Sequence, residues 1–195
     1  MSTLPTSISA TNPNTAVIVP GKPNTEITAT YTQLHDQISK FQQKLAKVGI
    51  TPTSAVSIAI GNSYEFIVAF LGAAWQRAIA APLNPGYKQE EFEFYIDDLS
   101  SAIALVPKGA VEKGSAAVKA ARKYNAAIAE CFWDGGKGEV VLDVKELGKL
   151  AGKGDVKVEN AQPDDIALVL HTSGTTGRPK AVSTNKHKAK RKGRD

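Results

Sequence analysis

Apolar residues recur at Tyr31, Leu34, Ile38, Phe41, Leu45 and Val48, in steps of three and four, so one face of a helix here is buried. Thr30 followed by Gln33 has the capping-box spacing that starts such a helix, and Gly49 ends it. Short apolar runs predict strands at Ala16–Val19, Ala55–Ile60, Ala78–Pro82, Ile103–Val106, Ala126–Phe132, Val140–Leu142 and Ile166–Leu170. Between them, turns are expected at Pro20–Asn24 and Gly61–Asn62. Helical patterns are expected over Ser63–Gln76, Lys88–Asp98 and Ala116–Tyr124, with a short helix near Val144–Leu150. The second of these carries Phe92, Tyr95 and Ile96 on one side. Alternation of strand and helix predicts an α/β layered fold, with a largely parallel sheet and flanking helices. In such sheets ligands gather where strands end, and the last strand runs straight into His171 and a loop of special residues. The Gly/Lys-rich stretch 134–163 is expected to be the most mobile part inside the domain.

Composition changes this picture little. A chain of 195 residues with 42% hydrophobic and 22% charged residues is globular, not disordered, and holds no apolar run of membrane-spanning length. The N-terminus lacks the basic and apolar regions of a secretory signal. The single Cys131 forms no internal disulfide and sits in an apolar run, as a small buried hydrophobe does. That fits a reducing compartment, with cytoplasm as the default. Trp75 is read as a packing residue, His35 as a flanking one, and Glu90, Glu91 and Glu93 as a solvated face favoured by the helix dipole.

Charge is more informative once it is located. Residues 183–195 hold six Lys/Arg and one Asp, which accounts for the whole net charge of +5. Residues 1–182 therefore carry 18 basic and 18 acidic side chains. Basicity belongs to a tail rather than to the domain, so any nucleic-acid reading rests on that tail. The string KHKAKRKGR has no aromatic residue for stacking, which argues against nucleic acid as the partner.

The segment that carries chemistry is His171-Thr172-Ser173-Gly174-Thr175-Thr176-Gly177-Arg178-Pro179-Lys180. Gly174 and Gly177 permit backbone shapes in which successive N–H groups converge on an anion. Hydroxyls at Thr172, Ser173, Thr175 and Thr176 can bond phosphate oxygens or hold Mg²⁺. Lys180 adds a charged donor of long reach. A Walker A loop needs four residues between its glycines and Lys-Ser/Thr after them; here two residues intervene and Lys180 is followed by Ala181-Val182. The alternative is an ordinary Ser/Thr/Gly turn joining two strands, which suits a short STSG cluster better than the full string.

HTSGTTGRPKAV resembles the signature loop of the adenylate-forming (AMP-binding) superfamily, which includes acyl-CoA synthetases, luciferases and the adenylation domains of peptide synthetases. YTQLHDQISKFQQKLAKVGI resembles its first long helix, and the stretch from Ala55 to Val106 its first strand–helix–strand–helix–strand run. The likeness spans roughly residues 25–182. Asn84-Pro85 and EFEFYIDD lean toward acyl-CoA synthetases, and more narrowly toward a fungal-type oxalate or fatty-acid CoA ligase. The resemblance implies ATP, Mg²⁺ and CoA: a carboxylic acid is activated to an acyl-adenylate, then passed to the CoA thiol. Carried onto this chain, Thr172, Ser173, Gly174, Thr175, Thr176, Gly177 and Lys180 would cradle the β- and γ-phosphates, with Thr175 and Thr176 as the Mg²⁺ contacts.

The resemblance also implies what else such an enzyme needs. Past Val182 the pattern stops, so the chain is read as an incomplete N-terminal domain: a flexible leader at 1–15, a partial AMP-binding domain at 16–182, and a disordered basic tail at 183–195. No complete catalytic set is expected, and the 195 residues alone are expected to lack catalysis. The other readings are a non-catalytic fragment that binds a partner and nucleic-acid binding through the tail. For an intact member of the family a peroxisomal location stays open.

Overall fold

The computed structural model describes residues 7–21, 26–172 and 180–185. Its longest helix forms where the sequence places one. Thr30 Oγ1 accepts from the Gln33 N–H at 3.2 Å and Gln33 Oε1 accepts from the Thr30 N–H at 2.8 Å, closing the capping box. Helix α1 (Tyr31–Lys47) then buries Leu34, Ile38, Phe41 and Leu45. Gly49 follows at φ +86°, where a Cβ would lie 2.9 Å from the Cβ of Lys153; only glycine fits both demands.

Strands β1 (Thr15–Val19) and β2 (Ile27–Thr30) pair antiparallel as a separate ribbon. The remaining elements are β3 (Ala55–Ile58), α2 (Tyr64–Trp75), β4 (Ile79–Pro82), α3 (Gln89–Asp98), β5 (Ile103–Val106), α4 (Ala116–Lys123), β6 (Ala127–Asp134), β7 (Glu139–Glu146), a 3₁₀ turn at Gly148–Leu150, β8 (Ile166–Thr172) and β9 (Lys180–Asn185). They build a seven-stranded sheet in the order β7-β6-β5-β3-β4-β8-β9. The five inner strands are parallel, while β7 and β9 run antiparallel at the edges.

The chain leaves β3 for β4 on one side and then crosses back over β3 to β5 and β6. This reversal distributes the helices over both faces. Strand β5 shows the result residue by residue: Ile103 and Leu105 enter the core beneath α1 and α2, whereas Ala104 and Val106 enter the core beneath α3 and α4. Helices α1 and α2 touch closely through Gly72, where a Cβ would lie 2.9 Å from Phe41 Cδ1.

Three features differ from the sequence reading. Strand β2 is additional; ITAT is too short to announce itself, yet its backbone pairs with β1 through Ala29 opposite Val17 and Thr28 opposite Ile18. The helix expected near Val144–Leu150 is instead the end of β7 followed by one 3₁₀ turn. Val140, Leu142 and Val144 alternate along the strand opposite Trp133, Cys131 and Ala129, so period two wins over a helical reading. Finally, β9 reaches Asn185, three residues into the segment expected as tail. Residues 1–6, 22–25 (which take in the last three positions of the expected Pro20–Asn24 turn), 173–179 and 186–195 lie outside the described residues.

Hydrogen bonds join the connecting segments to the helices where the structure describes them. The carbonyls of Asn14 and Asn12 accept from the N–H groups of Tyr31 and Thr32 at 3.0 and 3.2 Å, fastening the leader to the start of α1. The buried Gln37 amide donates to the Gly138 carbonyl and accepts from the Val140 N–H, both at 3.0 Å. Gln42 and Gln76, also buried, donate to the carbonyls of Trp75 and Ile50 at 2.9 and 3.0 Å. The Val156 N–H donates to Ala46 at 3.1 Å, which draws the strap after the 3₁₀ turn across the end of α1. On the opposite face, the Lys123 ammonium donates to Glu93 and joins α4 to α3. This partner, aided by Gln89, holds the Glu93 carboxyl below its usual range.

Two predictions follow from this packing. Gly72→Ala should destabilise the chain by ~1–3 kcal/mol through overpacking, and adding Phe41→Leu should recover part of that loss. Strictly additive losses in urea unfolding would show that the α1–α2 contact is not limiting. For Glu93, the depressed carboxyl stabilises the fold above the ordinary value of 4.5, and that contribution is lost as pH falls through the lowered value. Glu93→Gln should therefore melt below wild type at pH 7 and converge with it in acid; a pH-independent gap would refute the assignment.

Candidate functional site

Because β3, β4, β5, β6 and β8 are parallel, their carboxyl ends open on one edge of the sheet. The chain after β3 enters α2 on one face and the chain after β4 enters α3 on the other. Between those two departures lies a cavity of about 450 Å³, lined by Ile60, Gly61, Asn62, Phe66, Leu83 and Asn84 among others. Its size suits a small ligand. Asn84 shapes the rim: its Oδ1 accepts from the Gly86 N–H at 2.9 Å and sets the turn that leads to α3. A second groove, about 390 Å³ between β1 and the start of α2, is walled by Val17, Ile18, Val19, Phe66 and Ile67 and has few polar groups.

Strand β8 lies beside β4, with Leu168 opposite Ala80. It ends at Thr172, whose backbone partner across the β8–β9 hairpin is Lys180. The structure thus sets these two sequence-predicted residues opposite each other, at the same edge as the cavity. Ser173, Gly174, Thr175, Thr176 and Gly177 lie outside the described residues, as do Arg178 and Pro179.

Sequence reasoning gave no role to the residue that leads into this segment. The His171 imidazole is 3% exposed, with Nε2 2.9 Å from Asp98 Oδ2 at the end of α3. Its ring centroid lies 4.6 Å from that of Tyr95 and 6.3 Å from that of Phe94. Burial pushes the Tyr95 phenol up, and a hydrogen bond with Tyr87 adds to the shift. Asp98 is 73 positions away from His171 in the chain, so no local signal links them.

The other candidates are accounted for by structure. Trp75 is buried, with His35 edge-on at 5.0 Å, as core and flanking residues respectively. Glu90 and Glu91 are exposed, and Glu91 accepts from the Lys88 N–H at 2.8 Å to cap α3. Cys131 is buried and burial pushes its thiol up, which suits an inert core residue. Tyr64, buried at the start of α2, has a phenol pushed up to about 12, chiefly by desolvation. Among the described residues no group of three or more His, Cys, Asp or Glu side chains is arranged to hold a metal ion. No helix among them is long and apolar enough to cross a membrane.

Comparison with known proteins fits this geometry. The chain is similar to the oxalate–CoA ligase of Saccharomyces cerevisiae, at 36% identity over 87% of this chain and 35% of the relative. It is 38% identical to the oxalate–CoA ligase of Arabidopsis thaliana, over 86% of this chain and 31% of that protein. It therefore spans about a third of the length of these curated relatives. Among solved structures, apo MatB from Rhodopseudomonas palustris superimposes with a TM-score of 0.63 at 22% identity, covering 82% of this chain and 30% of that one. An anthranilate CoA ligase in complex with anthranoyl-AMP superimposes with a TM-score of 0.67 at 19% identity, over 94% of this chain and 33% of that one. These likenesses establish a mixed α/β fold shared with adenylate-forming enzymes. The family model for the AMP-binding enzyme matches residues 6–189, beyond the span recognised by motif at both ends, and the chain belongs to that family.

Proposed function

We propose that this chain is the portion of an ATP-dependent acid–CoA ligase that receives the β- and γ-phosphates of ATP. The observation that carries the reading is one coincidence. The string HTSGTTGRPK, within the family match, runs from the end of β8 to the start of β9, and β8 ends at the carboxyl edge of the sheet, the edge on which a cavity of ligand size opens. In this reading Thr172, Ser173, Gly174, Thr175, Thr176, Gly177 and Lys180 bind phosphate oxygens through hydroxyls, backbone N–H groups and one ammonium. Their work is to orient the triphosphate and to steady the charge that builds on departing pyrophosphate. Hydroxyl oxygens are donors that Mg²⁺ accepts, and Thr175 and Thr176 would hold it. When bound, the ion neutralises phosphate charge.

In the whole protein, a carboxylate oxygen of the acid bonds to the α-phosphorus while the bond to the β-phosphate breaks, giving an acyl-adenylate and pyrophosphate. The CoA thiolate then bonds to the acyl carbon and AMP leaves. Both named curated relatives are oxalate–CoA ligases, which favours a small dicarboxylic acid over a fatty acid as substrate.

Two measurements test the reading. Pyrophosphate titrated into the chain and followed by ³¹P NMR should bind, and Lys180→Ala should weaken that binding by about tenfold, as loss of a charge-assisted contact does. Unchanged affinity in the variant would remove Lys180 from the site. The 195-residue chain should bind ATP only at millimolar strength or weaker, and should show no acid-dependent ATP–pyrophosphate exchange. One phosphate loop offers few contacts against an association cost of at least about 4 kcal/mol. Exchange above the acid-free background, with oxalate or any other carboxylate, would overturn this expectation.

A further inference from the structure

Strand β8 lies parallel to β4, with Ala80 opposite Leu168, and antiparallel to β9, with Thr172 opposite Lys180. Side chains at both of its ends tie it to other elements.

The two ends are each clamped by an ionisable pair. Just before the strand, the Arg77 guanidinium donates to Asp165 through Nε and Nη2, both at 3.1 Å, and through Nη1 to Glu159 at 2.7 Å. At the far end, His171 Nε2 donates to Asp98 at 2.9 Å, and the imidazole lies against Tyr95 with only 3% of its side chain exposed. The first clamp anchors the strap that leads into β8. The second sits one residue before the Thr172–Lys180 pair, where the chain departs into the segment read as phosphate-binding. It also ties that point to α3, the helix that begins just past the cavity-lining Asn84.

We infer that His171, held by Asp98 and Tyr95, is a positioning residue that sets the hairpin, and with it the phosphate-binding residues, relative to the cavity at the ends of β3 and β4. This rests on the phosphate reading above and goes beyond it by assigning His171 and, on α3, Tyr95 and Asp98. The neutral or protonated imidazole donates through Nε2 in either case, and the carboxylate accepts; neither group touches a reacting atom.

The test uses the full chain with inorganic pyrophosphate as the probe. The amide resonances of Gly174 and Gly177, followed by ¹⁵N NMR, report the loop directly. Asp98 is 46% exposed, so Asp98→Asn alters the clamp without emptying the core. Asp98→Asn and His171→Ala should each move those two resonances before any pyrophosphate is added. Each should also weaken pyrophosphate binding by about fivefold or more, the scale of one lost charge-assisted hydrogen bond. His171→Gln keeps a donor that reaches Asp98 and should restore affinity to within about twofold of wild type, which a purely packing role would not do. Asp97→Asn, on the same helix and exposed, should change neither readout. If Gly174 and Gly177 ignore pyrophosphate in the wild type, the phosphate reading fails and this inference fails with it. If they respond to pyrophosphate but are unmoved by Asp98→Asn and His171→Ala, the inference alone fails.

Discussion

The constraint on which the rest depends is that five parallel strands can be joined only by long crossovers. Each crossover returns the chain to the same starting edge, so every carboxyl end opens on the other. Had any inner connection been a hairpin, a strand would point the wrong way and its loop would leave from the far edge. The reversal of direction about β3 then sends the chain after β3 and the chain after β4 to opposite faces, which leaves a cleft between Gly61–Asn62 and Asn84. The position of the candidate site is thus a consequence of connectivity. Its chemistry comes from what later sequence places beside the cleft.

That placement demands close packing under α2. Its sequence, YEFIVAFLGAAW, holds one charged residue, and the small side chains Ala69, Gly72 and Ala73 line the face turned inward. Gly72 lets Phe41 of α1 fill the space that a Cβ would take. A helix that approaches both its sheet and its neighbouring helix so closely cannot tilt without opening a void. The strand that follows inherits its direction. Arg77, just past the C-terminal end of this helix at φ +63°, accepts an αL backbone normally left to glycine, while its side chain fastens Asp165 at the entrance to β8. Backbone strain and a charge-assisted contact are combined in one residue, so the end of α2 fixes where β8 begins.

How much of this was legible depended on the range of each signal. Helix α1 was readable because its stripe and its Thr30–Gln33 box are local, and β5 because Ile103–Val106 is an unbroken apolar run. Strand β2 was not, since ITAT has too few residues for a period and only its pairing with β1 makes it a strand. The Val144–Leu150 stretch failed for another reason: Val144 and Leu147 satisfy a helical step, and only the neighbouring β6 decides for period two as far as Glu146. At the candidate site, the phosphate-type string was plain because its glycines, hydroxyls and lysine are consecutive. His171 gained its meaning only in three dimensions, from Asp98 and Tyr95 on a helix far earlier in the chain. Charge location was read directly, because it needs no contacts.

That charge distribution bears on how an anion would reach the site. Residues 1–171 hold 16 Lys/Arg against 18 Asp/Glu, and many of these ions are spoken for: Arg77 by Asp165 and Glu159, Arg122 by Glu146, Lys123 by Glu93, Lys44 by Glu139, Lys145 by Asp143. Partly exposed pairs of this kind add little stability, but they cancel one another's field beyond a short distance. At physiological ionic strength screening limits reach to about 8 Å, so a balanced body cannot draw a polyphosphate from afar. The attraction has to be local. In this sequence the cations that follow the last neutral stretch are Arg178, Lys180 and the run from Lys186 onward, all on the side of the chain that includes the β8–β9 hairpin. The fold therefore supplies geometry at the carboxyl edge without supplying net positive charge, and in the proposed reading the segment beyond His171 brings both the donors and the field.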